Sequence, residues 1–295
     1  MPSNRRSATL IGLSAVGMWS LLGLMTAATG RVPPFLLNGL AFGLSGLGAM
    51  AALAFNGQMG QLRQDLKVWL VGVAGLFGFH FFYFTSLKSA PPVEANLINY
   101  TWPLLIVVFS GLLPGERLKA HHILGAGFGL LGAALIVTKG RGLSIAPEYA
   151  FGYGAAIVSA LIWSTYSLAS RRMAAVPTAA VAGFCLATSL LSFLCHFLLE
   201  TTIWPETPTA WAAVVGLAAL PLGAAFFVWD HGVKHGDIQV LGAASYLSPL
   251  LSTLFLILAG YGRFEWPIAA AAALITLGAL VASKDMLFRR SNGGQ

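Results

Sequence analysis

Charge is what this chain has least of. Charged residues occupy 9% of its 295 positions, against roughly 25% in a soluble domain, so water is not the main solvent of its surface. Carboxylates are especially few, and the first apolar stretch holds none. No strong site for carrying a proton through the membrane is expected there. Cysteine is nearly absent too. Cys185 and Cys195 stand ten residues apart in one apolar stretch, about 15 Å along a straight helix, which excludes a disulfide between them.

The signatures of chemistry are missing as well. His231 and His235 are four apart, but no Glu follows the first of them, so the zinc-protease pattern is not met. No serine has the Gly-x-Ser-x-Gly setting of a hydrolase. No Gly-x-x-x-x-Gly-Lys loop offers a cradle for nucleotide phosphates. The reading is therefore not an enzyme, with no catalytic residue, metal site or cofactor. The net charge of +7 comes from basic residues scattered as short pairs rather than gathered in a patch, which argues against a nucleic-acid partner. Connections between the apolar stretches are short, so no soluble domain hides among them.

What the chain has in abundance is apolar surface, 57% of its residues. A membrane span needs about 20 apolar residues, and ten stretches meet that length. They centre near Trp19, Phe42, Gly78, Leu104, Gly129, Leu161, Ala187, Leu222, Ser248 and Ile275. Arg5 and Arg6 before the first run imitate a signal peptide, yet the run continues for a full span and reads as a retained helix. The fold class is all-α integral membrane, with the lipid bilayer as its surroundings.

The ten spans are written as two copies. Trp19-Ser20 recurs as Trp163-Ser164, Val32-Pro33 as Val176-Pro177, Tyr100 and Pro103 as Tyr246 and Pro249, and Leu131-Gly132-Ala133 as Leu277-Gly278-Ala279. Five spans per copy is an odd number, so the second copy enters the membrane from the opposite face. The division expected is 1–145 and 146–295, two inverted five-helix repeats meeting in the turn-rich stretch from Gly140 to Glu148. Twelve Lys and Arg fall on the amino-terminal side, Arg289 and Arg290 among them, and five on the other, including Lys139 and Arg141. By the positive-inside rule both termini are cytoplasmic. After the second span stand Arg63 and Lys67, whereas the matching loop after the seventh has Glu200 and Glu206, as inversion requires.

Glycine pairs such as Gly39 with Gly43 and Gly125 with Gly129 have the spacing that lets helices approach closely and bind nothing. Pro103 and Pro249 lie inside spans at equivalent places, where each frees a carbonyl and bends the helix, so both are candidate hinges.

Polar and aromatic side chains within spans are costly unless they face a cavity or each other. The third and fourth spans hold the richest set: His80 and Tyr83 on one face, Asn99 and Tyr100 on the next, with Trp102 three residues beyond Asn99. The second copy offers Ser245, Tyr246 and Ser248 on the ninth span, with Phe226, Phe227 and Trp229 on the eighth. Trp19 and Trp163 lie deep and equivalent, and either line one cavity or fill core space. His80 either faces the cavity or bonds a neighbouring helix. Trp69, Trp204, Trp211 and Trp266 read as interfacial anchors. Glu94, near Lys88, and Asp230, near Lys234, read as salt-bridge partners at the membrane surface.

The Trp-Ser pair on the first helix of each half, Pro-Leu-Leu in each fourth span, Gly115-Glu116-Arg117-Leu118 and Leu-Gly-Ala in each fifth resemble the drug/metabolite transporter superfamily, and within it the EamA branch. The segment from His80 to Trp102, with Leu97-Ile98-Asn99-Tyr100-Thr101-Trp102-Pro103, is similar to the aromatic amino acid exporters of the YddG type. The resemblance implies a cavity lined by the first, third, fourth, sixth, eighth and ninth spans, and export of amino acids across a bacterial inner membrane by alternating access. Binding residues carried over are His80, Tyr83, Tyr100, Trp102, Trp163 and Ser245; the residues themselves add Asn99 and Trp19. Three alternatives stay open: export of other hydrophobic metabolites or drugs, a structural or signalling membrane protein without flux, and a passive pore. No oligomeric state is set, and a monomer suffices.

Overall fold

The computed structural model describes residues 3–141, 145–260 and 263–285. Nine of the helices among these residues are long and apolar enough to cross a membrane: Arg5–Ala28, Pro34–Phe55, Leu66–Ser89, Pro92–Ser110, Ala120–Thr138, Pro147–Arg172, Ala180–Leu199, Pro208–His235 and Ile238–Leu258. A tenth, Trp266–Ala282, is 17 residues long, about 25 Å of helix. In chain order these are the first to tenth spans, and the protein is an all-helical membrane bundle of ten.

The spans pack in pairs across the two halves of the chain. The second lies on the seventh, the fifth on the tenth, the first on the eighth and the third on the sixth. The glycines make the closest of these contacts possible. A Cβ on Gly125 would stand 2.5 Å from the Gly278 carbonyl and 2.8 Å from the Ala282 nitrogen, so the fifth and tenth spans touch backbone to backbone. Gly39 and Gly43 instead receive the side chains of Phe193 and Ser189 of the seventh span. These pairs join helices within the chain. Gly125→Leu is expected to destabilise the bundle by about 1–3 kcal/mol through overpacking. Gly127, with nothing near its Cβ position, is the control: G127L should melt within error of wild type in a thermal unfolding assay.

Irregularities recur at matching positions. The third span contains a π-helical turn at Ala74–Gly78 and the eighth one at Leu220–Ala224, 146 residues apart. Pro221 interrupts the hydrogen-bond ladder in the second of these. The fourth span is two helices, Pro92–Asn99 and Trp102–Ser110; the ninth is likewise Ile238–Ala244 and Leu247–Leu258. Each break precedes a proline, Pro103 or Pro249, which cannot donate to the carbonyl four residues back. The first span also breaks, between Trp19 and Leu22, without a proline. Its counterpart, the sixth, runs unbroken.

Apart from the buried pair of Asp230 with Lys234, the ion pairs among the described residues join groups at one end of the bundle or the other. At the basic end Glu116 bridges Arg5 and Arg171, and Arg5 also reaches Asp237 at 3.3 Å. At the opposite end Lys88 meets Glu200 at 3.2 Å and Arg31 meets Glu206 at 3.1 Å. Lys88 thus pairs with Glu200 rather than with Glu94. Arg289 and Arg290 lie outside the described residues.

Candidate functional site

The two π turns widen the helical coil by one residue and re-aim the faces that follow them. After the third-span turn come Phe79, His80 and Tyr83; after the eighth-span turn come Phe226 and Trp229. These faces meet Trp19 at the end of the first span's first segment, Trp102 at the start of the fourth span's second segment, and Trp163 from the middle of the sixth. The result is a cluster of four tryptophans. Trp19 lies 6.2 Å from Trp102, 5.7 Å from Trp163 and 5.1 Å from Trp229, ring centre to ring centre. Trp102 lies 6.3 Å from Trp163 and 5.9 Å from Trp229. Most of these pairs are edge-to-face, the arrangement in which the positive rim of one ring meets the negative face of the next.

Phe226 and Phe79 carry the cluster on to His80. Phe226 stands 5.6 Å from Trp163 and 6.1 Å from His80, and Phe79 stands 5.4 Å from Trp163 and 5.1 Å from His80. The imidazole Nδ1 is 2.7 Å from the Leu76 carbonyl of its own span, and among the described residues His80 has no hydrogen bond to a neighbouring helix. A carbonyl only accepts, which makes Nδ1 the donor and leaves Nε2 of the neutral ring as an acceptor. That nitrogen can receive an N–H from a ligand.

The remaining candidates differ in how far they are committed. Tyr83 stacks on Phe79 at 5.8 Å and donates its hydroxyl to Asn96 Oδ1 at 2.6 Å. Asn99 accepts at Oδ1 from the Ser159 hydroxyl at 3.1 Å, which ties the fourth span to the sixth. Tyr100 lines a cleft of about 290 Å³ between the fourth, fifth and ninth spans. Ser245 donates to the Leu241 carbonyl of its own helix at 2.7 Å and is buried. Among the described residues it makes no bond to the aromatic cluster.

Trp229 is the residue that sequence reasoning undervalued. It is fully buried, touches three of the candidate rings and donates from Nε1 to the Ser167 hydroxyl at 3.1 Å. A shift of 146 residues places it on Tyr83 and places Phe226 on His80, so the repeat itself held the signal. Trp204, Trp211 and Trp266 are exposed at span ends, as anchors should be, but Trp69 packs on Phe184 and Gly183 of the seventh span.

Asp230 is a salt-bridge partner as expected, but not at the membrane surface. It is 1% exposed and accepts from Lys234 Nζ at 2.7 Å, the Ser170 hydroxyl at 2.8 Å and the Thr178 hydroxyl at 2.6 Å. His121, His122 and Asp285 bring donor atoms within 4.8 Å of one another, the spacing a metal ion needs, but Lys119 already holds the Asp285 carboxylate.

The ninth span is covered at the basic end and uncovered at the other. Every residue from 238 to 246 is buried, whereas none from 251 to 260 is. Arg171 adds to that cover by donating to the carbonyls of Val233, Lys234 and Gly236 at 3.1, 2.8 and 2.9 Å, where the eighth span ends. Burial alone would raise the Glu116 carboxyl, yet Arg5 and Arg171 hold it below its ordinary value of 4.5. A depressed carboxyl contributes stability above its ordinary value and loses it as pH falls through the lowered one. Wild type should therefore melt above E116Q at every pH over about 5, the two curves converging only below 4.5.

The model of the EamA-like transporter family matches residues 6–138 and again 150–284. The chain belongs to that family. It is 52% identical to the aromatic amino acid exporter YddG of Ancylobacter novellus, over 97% of this chain and 100% of that one. The exporter of the same name from Escherichia coli K12 is 27% identical over 84% of this chain and 87% of its own. The uncharacterised transporter YyaM of Bacillus subtilis is 23% identical over 82% of each. A solved crystal structure superposes with a TM-score of 0.91 at 52% identity, covering 97% of this chain and 100% of the other. The family match falls once on each set of five spans.

Proposed function

We propose that this protein exports aromatic and other neutral amino acids across the bacterial inner membrane by alternating access. The observation that carries the reading is the cluster of Trp19, Trp102, Trp163 and Trp229 at the meeting of four spans, in a chain of the EamA-like family half identical to a named aromatic amino acid exporter. The rings stack on the substrate side chain, and the His80 Nε2 acceptor takes an N–H of the substrate ammonium. Tyr83, Tyr100, Asn99 and Ser245 supply the remaining polar contacts once substrate competes for their present partners. A neutral amino acid needs no full countercharge. The chain acts as a carrier rather than an enzyme.

The basic end is assigned to the cytoplasm, with both termini there. Residues 1–145 and 146–295 are the two inverted five-helix repeats, and the breaks before Pro103 and Pro249 are the hinges. The structure is then the state open to the outside. Sealing at one end and opening at the other is the arrangement that exposes a central site to one compartment at a time.

A second reading, export of other hydrophobic metabolites, is favoured by one feature: the cluster is built of neutral rings, which do not by themselves demand an amino group. Competition in proteoliposomes separates the two. Phenylalanine should displace a labelled hydrophobic amine at lower concentration than its decarboxylated analogue does; displacement by the amine analogue alone supports the second reading.

A further inference from the structure

Spans four and nine close on each other at the basic end through one glycine. A Cβ on Gly242 would lie 2.9 Å from Val107, 3.1 Å from the Pro103 carbonyl and 3.2 Å from Ile106. The repeat supplies the counterpart of each residue at the opposite end. Shifting by 146 carries Gly242 to Asn96, and Pro103, Ile106 and Val107 to Pro249, Ser252 and Thr253. All four counterparts line the open cleft beside Tyr100. The cleft is thus the sealed contact of the basic end, pulled apart.

The chemistry of the two contacts differs. At the basic end a bare backbone meets aliphatic side chains. At the open end the Asn96 amide lines a cleft with the Ser252 hydroxyl and with the Thr253 hydroxyl, which donates to the Pro249 carbonyl at 2.9 Å, so closure brings polar groups together. We infer that Asn96 is a positioning residue whose amide closes an outer gate against Ser252, Thr253 and the Pro249 carbonyl, giving up the Tyr83 hydroxyl as it does so.

The second half of the inference follows from what Asn96 holds now. Its Oδ1 accepts from Tyr83 at 2.6 Å and its Nδ2 donates to the Pro92 carbonyl at 2.8 Å. Tyr83 stacks on Phe79, which contacts both Trp163 and His80. Closure of the gate therefore frees a hydroxyl next to the aromatic site, and a substrate that takes that hydroxyl frees Asn96 to close. Gate and site exchange one hydrogen bond. The inference rests on the alternating-access reading, since a chain with one fixed state has no second contact to form.

The test uses the full-length protein with Cys185 and Cys195 replaced by Ala. Oxidation of the N96C/T253C form during turnover in proteoliposomes should produce an intramolecular disulfide, read by peptide mass, and abolish phenylalanine exchange until reductant restores it. No disulfide while the cysteine-free parent transports, or a disulfide that leaves exchange unchanged, overturns the gate. If the parent carries no amino acid and the disulfide still forms, the gate stands and the substrate assignment falls. Because Asn96 does not touch substrate in this scheme, N96A should lower the maximal exchange rate with little change in KM, and N96Q should recover part of the rate. A change confined to KM also overturns it.

Discussion

Asp230→Ala should be among the most damaging single substitutions in this chain. It removes the carboxylate that holds Lys234, a side chain 4% exposed, and leaves an ammonium buried with only the Val176 carbonyl at 2.8 Å to receive it. Breaking a buried pair from one side costs about 3–5 kcal/mol, because an uncompensated charge stays behind. The loss should appear as a lower unfolding temperature in detergent and as reduced yield. The cause can be separated from simple loss of packing: D230A/K234M removes both charges and should recover most of the stability, since replacing a buried pair by apolar groups is often neutral. A double variant as unstable as D230A would show that the damage comes from the Ser170 and Thr178 hydroxyls instead.

Trp102→Ala should have the largest effect on selectivity. Trp102 contacts Trp19, Trp163 and Trp229 and is 7% exposed. Ring pairs contribute about 0.5–1.5 kcal/mol each beyond their buried area, so loss of one or two to a bound aromatic substrate weakens it by roughly 2- to 160-fold. Leucine, which has no ring, should lose much less. Trp102→Phe keeps a ring and should retain most of the aromatic preference. Equal losses for tryptophan and leucine in W102A would mean that the cluster is core packing and not a substrate wall.

Much of this architecture is legible in the sequence, for identifiable physical reasons. Ten spans follow from the length an apolar helix needs in a bilayer, and the breaks before Pro103 and Pro249 follow from the missing amide hydrogen. The fate of individual polar groups is not legible, because it depends on which helix lies opposite. Asp230 reads as interfacial from its place near a span end, yet it is buried against the sixth span and the loop that follows it, where Lys234, Ser170 and Thr178 satisfy it. Lys88 stands six residues before Glu94 but finds Glu200, far along the chain, because the seventh span ends beside it. His80 turns back to Leu76, whose carbonyl belongs to a π turn that no residue in the third span announces as plainly as Pro221 does in the eighth. Trp229 is visible in the sequence within the eighth span's aromatic set, and the 146-residue shift that carries it onto Tyr83 is what ties it to the same site.

The most direct measurement is counterflow. Proteoliposomes loaded with unlabelled phenylalanine and diluted into trace labelled phenylalanine should show a transient, saturable uptake, competed by tryptophan, tyrosine and neutral aliphatic amino acids and not by lysine or glutamate. The overshoot should persist without a proton gradient, because carrier exchange at a neutral site needs none, and disappear in W102A. Uptake that never saturates, conductance steps in a planar bilayer, or competition by hydrophobic amines but by no amino acid would contradict the account.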